Sequence, residues 1–127
     1  MSKIFDLKKP TVQMLGRWQP WHDGHTELFK RALVETGQVC IMIRDVQGWE
    51  DNPFDQNEVN QNIMTVLAEA GHNINEDYII QWVPNIVDIS YGRGVGYTFT
   101  QHDLGQEMHS ISATKIRAEM RKNNIIK

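Results

Sequence analysis

Residues 39–44 read VCIMIR, an unbroken apolar run with β-branched members that closes on an arginine. A short run of this kind, with no polar alternation, predicts a strand buried on both faces of a parallel sheet. The lone Cys40 lies inside it and reads as a buried structural thiol. Upstream, HTELFKRALVET (residues 25–36) has helical spacing. Leu28, Phe29, Ala32 and Leu33 share one face, Glu27, Lys30, Arg31 and Glu35 take the other, and Gly37 stops the helix. Before it, TVQMLGRW reads as a first strand beginning near Thr11. After the central run comes a polar loop, DVQGWEDNPF. A helix follows from about Asp55 to Ala70 with Val59, Ile63, Val66 and Leu67 inward and Asp55 or Asn52 as its cap. GHNINED is a turn, and DYIIQWV is a third strand ended by Pro84. GYTFT is a candidate short strand in a region broken by Gly92, Gly94 and Gly96, and SATKIRAEMRK is a closing helix. Strands alternating with helices predict an α/β fold, a Rossmann-like three-layer sandwich with a mostly parallel sheet. A chain of 127 residues fits one domain over 1–127.

Composition narrows the function. Hydrophobic residues make up 40% of the chain, enough for one core, and the formal net charge is −3. A general nucleic-acid binder would be basic, so nucleic acid is not an expected partner. The sequence has no run of 18 apolar residues that would span a membrane. MSKIFDLKKP lacks the apolar core of a secretory signal. One cysteine excludes an intramolecular disulfide and a multi-cysteine metal site. These features fit a reducing cytoplasm.

In a parallel α/β sheet the ligand sits beyond the carboxyl ends of the strands. GRWQPWHDGH, residues 16–25, lies there, between the first strand and the first helix. Gly16 would allow close approach of a ligand to the backbone, and Gly24 would let the chain turn into the helix. Free N–H groups at the helix start attract an anion. His22 and His25 could each donate an N–H to it, Arg17 adds charge, and Trp18, Gln19 and Trp21 could shape the wall. Donors fixed where negative charge gathers are what phosphate transfer needs. Histidines spaced His-x-x-His on a turn could hold zinc, but a third ligand at suitable spacing is missing, so no metal site from protein side chains is expected.

A second stretch, SISATKIRAEMRK, opens with hydroxyl residues at a helix start. Ser110 or Ser112 would cap that helix. Thr114 and Arg117 lie three apart on one face and, with the helix start, would make a second anion cradle. Two cradles in one small domain suggest a polyphosphate held between them.

Together the two stretches resemble the nucleotidyltransferase superfamily with the His-x-Gly-His signature. GRWQPWHDGH is most similar to the archaeal-type nicotinamide-mononucleotide adenylyltransferases, whose signature has phenylalanine where this chain has Trp18 and Trp21. ISATKIR resembles the second superfamily motif, and DNPFDQNE an Asn-Pro-Phe segment of that archaeal-type group. The resemblance implies that His22, His25 and Arg117 are catalytic: the two histidines contact the triphosphate and stabilise charge at the attacked α-phosphorus, and Arg117 holds departing pyrophosphate. It implies that Gly16 and Arg17 place backbone against the nucleotide, and that Ser112 and Thr114 bind the β- and γ-phosphates. It implies Mg2+ as cofactor, a homo-oligomer, and transfer of a nucleotidyl group from a nucleoside triphosphate to a small phosphate-bearing acceptor. The first motif leans toward ATP, while CTP with a sugar or alditol phosphate, and a nucleotide-binding relative without turnover, stay open. Asp45, at the carboxyl end of the second strand, Trp49, in the loop after it, and Arg93, in the glycine-rich segment, are candidate contacts for the base or the acceptor. The chain is shorter than those enzymes, and their usual acceptor-binding segment has no evident counterpart before ISATKIR.

Overall fold

The computed structural model describes residues 3–46, 53–93, 98–102 and 113–122. Its elements are β1 (Val12–Gly16), α1 (Asp23–Thr36), β2 (Val39–Arg44), α2 (Gln56–Glu69), β3 (Tyr78–Val83) and α3 (Ala113–Lys122). The three strands form one parallel sheet in the order β1-β2-β3. The apolar run at 39–44 is its centre, hydrogen-bonded on both edges.

The register lines up Val12, Val39 and Tyr78, then Met14, Ile41 and Ile80, then Gly16, Ile43 and Trp82. Side chains alternate between sheet faces, so these rows share one face. Val39, Ile41 and Ile43 are completely buried in it. Phe29 and Ala32 of α1 and Val59, Ile63 and Leu67 of α2 pack in the same core. The Phe29 ring meets Tyr78 edge-on at 5.7 Å, and the Trp82 indole donates to Asn60 of α2 at 3.2 Å. Both helices therefore cover one face, as two successive right-handed crossovers running in one direction require. Cys40 falls on the opposite face with Gln81, its Sγ 3.6 Å from Oε1, and is only half-buried. The deeply buried thiol expected from the run is corrected by register: β2 is enclosed by apolar packing on alternate residues, not on all of them.

The ends of the helices follow local chemistry. Gly37 closes α1 at φ 86°, in the left-handed region, and its N–H donates to the Leu33 carbonyl. Asp55 caps α2 in a reciprocal box with Glu58. Residues 98–100, the described part of the candidate strand GYTFT, are not strand; its first two residues lie outside the described set. α3 approaches the carboxyl end of the sheet, where Met120 faces Pro20 and Phe54 across a cavity of about 600 Å3. Among the described residues, no helix is long and apolar enough to cross a membrane.

Candidate active site at the first bend

The bend from Arg17 to His25 follows the carboxyl end of β1. His22 is the N-cap of α1, in extended conformation. Its Nδ1 accepts the Gly24 N–H at 3.1 Å, and the His25 Nδ1 accepts the His22 N–H at 3.0 Å. Each ring thus takes the place that a hydroxyl or carboxylate holds in an ordinary capping box. An Nδ1 that accepts carries no proton, so a neutral ring must hold its proton on Nε2. The two imidazoles stack at 3.7 Å with 21° between planes. Burial, and then the neighbouring His22, push the His25 pKa down to about 3. Burial lowers that of His22 too, partly opposed by the negative charge of Asp23. At neutral pH the pair is two uncharged Nε2–H donors of fixed tautomer.

This alters one expectation. The helix-start N–H groups of His22 and Gly24 are not free for an anion, because the ring nitrogens take them. The donors left for an anion from these residues are the imidazole Nε2–H groups, which act as fixed dipoles.

Both tryptophans belong to the core, and Trp18 also lines a cavity of about 1030 Å3 with residues of β1, α1 and 98–102. Trp18 is 6% and Trp21 3% exposed. The Trp18 Nε1 donates to the Met42 carbonyl at 3.1 Å, and the Trp21 Nε1 to the Thr26 hydroxyl at 2.8 Å. Trp18 has φ 53°, a left-handed conformation unusual for a bulky residue. Its indole lies on Gly16, where an added Cβ would come within 2.9 Å of Cζ2. The space that Gly16 was expected to open to a ligand on that side is filled by this ring.

Gln19, 2% exposed, ties the bend to the start of α2. Its Nε2 donates to the Phe54 carbonyl at 3.0 Å, and its Oε1 accepts the Phe54 N–H at 2.9 Å. Its own carbonyl accepts a hydrogen bond from the Arg117 guanidinium of α3. Arg117, also 2% exposed, therefore reaches the bend, but through the Gln19 backbone. Sequence reading gave Gln19 only a place in the wall and missed Thr26 and Asn62, whose Nδ2 donates to the Trp21 carbonyl at 3.3 Å. The usable signal was a glutamine between two large aromatics, since a buried amide must find partners.

The other candidates divide. Gly24 is buried at the start of α1, and Arg17 is half-buried after β1. Asp45 is exposed at the carboxyl end of β2, its N–H donating to the Val83 carbonyl at 2.9 Å. Arg93 is exposed in the segment after β3. Ser112, Trp49 and the Thr114 side chain lie outside the described residues, as does Ser110. Among the described residues, no group of three His, Cys, Asp or Glu side chains could hold a metal ion.

The architecture is an α/β parallel sheet with a histidine-bearing bend at its carboxyl end, and its relatives are nucleotidyltransferases. A 60-residue stretch is 38% identical to nicotinamide-nucleotide adenylyltransferase of Picrophilus torridus, covering 46% of this chain and 36% of that protein. Proteins of the same name from two strains of Methanococcus maripaludis are 28% and 31% identical over 85 residues, 61% of this chain and 50% of each relative. The chain thus spans half or less of the length of these curated relatives. No family model matches it, and no solved structure matches it.

Proposed function

We propose that this chain carries out nucleotidyl transfer: a phosphate oxygen of an acceptor attacks the α-phosphorus of ATP, and pyrophosphate leaves. The observation that carries the reading is the capped pair His22 and His25, two neutral Nε2–H donors at the carboxyl end of a parallel sheet. Preorganised neutral donors stabilise charge that builds on phosphate oxygens without themselves changing protonation. A phosphate acceptor is already ionised, so the reaction needs positioning and charge stabilisation more than a strong base. The relatives' name favours adenylyl over cytidylyl transfer and makes nicotinamide mononucleotide the first acceptor to try. Arg117, Ser112 and Thr114 are proposed for the departing phosphates. The described side chains offer no carboxylate cage for Mg2+, so the ion would ride on the triphosphate and offset part of its charge.

The test is pyrophosphate release from ATP or CTP, with and without nicotinamide mononucleotide, by wild type and His25→Ala. The reading expects ATP turnover that needs the acceptor and falls by roughly 10²–10³ in the variant, the worth of one preorganised donor. Equal turnover by the variant would overturn it.

A further inference from the structure

The His25 ring is enclosed by three others. The Trp18 indole meets it edge-on at 4.7 Å and 83°, the Trp21 indole lies tilted to it at 5.4 Å and 54°, and His22 stacks on it. The two indoles touch each other at 4.8 Å. Each is also pinned at its one polar atom, Trp18 to the Met42 carbonyl on β2 and Trp21 to the Thr26 hydroxyl on α1. Neither indole can turn without leaving a buried N–H unpaired, which is costly. A phenylalanine would fill much of the same space but has no such tether.

We propose that Trp18 and Trp21 are positioning residues that fix the plane of the His25 imidazole, so that its Nδ1 stays on the His22 N–H and its Nε2–H keeps a single direction. Their N–H bonds to Met42 and Thr26 are what make them indoles rather than simple fillers. In this role they act through His25. The function of that aim rests on the nucleotidyl-transfer reading; the fixing of the ring does not.

The test is therefore double. Trp18→Phe, Trp21→Phe, Thr26→Val and the combined Trp21→Phe/Thr26→Val are compared with wild type by nitrogen NMR of the imidazoles, and by kcat and KM for pyrophosphate release. Wild type should show His25 as a single Nε2–H tautomer, and the variants a mixture. Their kcat should fall about tenfold, as expected for a slightly misaimed donor, with KM for ATP nearly unchanged. The combined variant should lose no more than either single one, because both remove the same bond. Unchanged tautomers overturn the proposal, as do losses that simply add. Thr26→Val leaves both indoles in place, so it decides the matter even if an indole variant fails to fold. A wild type that releases no pyrophosphate would sink the nucleotidyl-transfer reading alone, since the imidazole spectra still report whether the indoles hold the ring.

Discussion

Gln19 and Phe54, 35 residues apart, exchange two hydrogen bonds: the amide of one reads the backbone N–H and C=O of the other as a neighbouring strand would. The bend that carries the histidines is thereby fastened to the loop that starts α2. Replacing Gln19 with leucine would leave both Phe54 groups without their partner in a part-buried setting, at no more than about 1–3 kcal/mol for each. Chemical denaturation of Gln19→Leu should show that loss, and any thermal shift caused by ATP should shrink with it.

Two jobs of His22 can be separated. Asparagine is among the best N-caps, but it has no imidazole Nε2–H. His22→Asn should hold stability within about 1 kcal/mol of wild type. Pyrophosphate release should fall by roughly 10²–10³. A circular-dichroism melt and a turnover assay on one preparation check both halves.

His25 predicts a pH dependence of stability. Its folded pKa is about 3, against an ordinary value of 6.5. Between those values the unfolded chain binds more protons than the folded one, so stability rises with pH. The contribution is fully present above about 6.5 and drains away as pH falls toward 3. His25→Asn should flatten the melting temperature over that window, and wild type should not.

Gly16→Ala pushes a Cβ to 2.9 Å from the Trp18 ring. Overpacking of this kind costs roughly 1–3 kcal/mol. Denaturation midpoints of Gly16→Ala, Trp18→Phe and the pair should show the double variant losing less than the sum, since the smaller ring relieves the clash.

Asp77 lies at the opposite end of the sheet. Burial alone would raise its pKa, but hydrogen bonds from Lys3 and the Asn73 N–H, with the charges of Lys3 and His72, outweigh that and hold it below its usual value. Its contribution is present above the ordinary carboxylate range and is lost as pH falls through the lowered folded pKa. Asp77→Asn should reduce the loss of stability in acid, read from urea midpoints on the acid side of that range.

The three strands and three helices were legible in the sequence from periodicity, helped by end signals at Gly37 and Asp55. β2 falls on the residues of its apolar run, Gly37 ends α1, and Asp55 starts α2. Face was less legible than element. Cys40 sits in an apolar run yet lies on the less covered side, because register, and not local composition, assigns faces. At the bend, sequence picked out the histidines but not their use of Nδ1, nor Gln19 as the tie to α2. Both depend on groups brought together by folding: a ring turned back on its own helix start, and an amide meeting a backbone 35 positions away.

The capping box built from His22 and His25 has one more consequence. The bonds that begin α1 are the bonds that set the two tautomers, so winding the first helical turn and arming the imidazoles are a single event. Hydrogen–deuterium exchange at the Gly24 amide, whose proton rests on the His22 ring, is then a direct gauge of readiness: each opening that lets that proton go also releases the ring that held it.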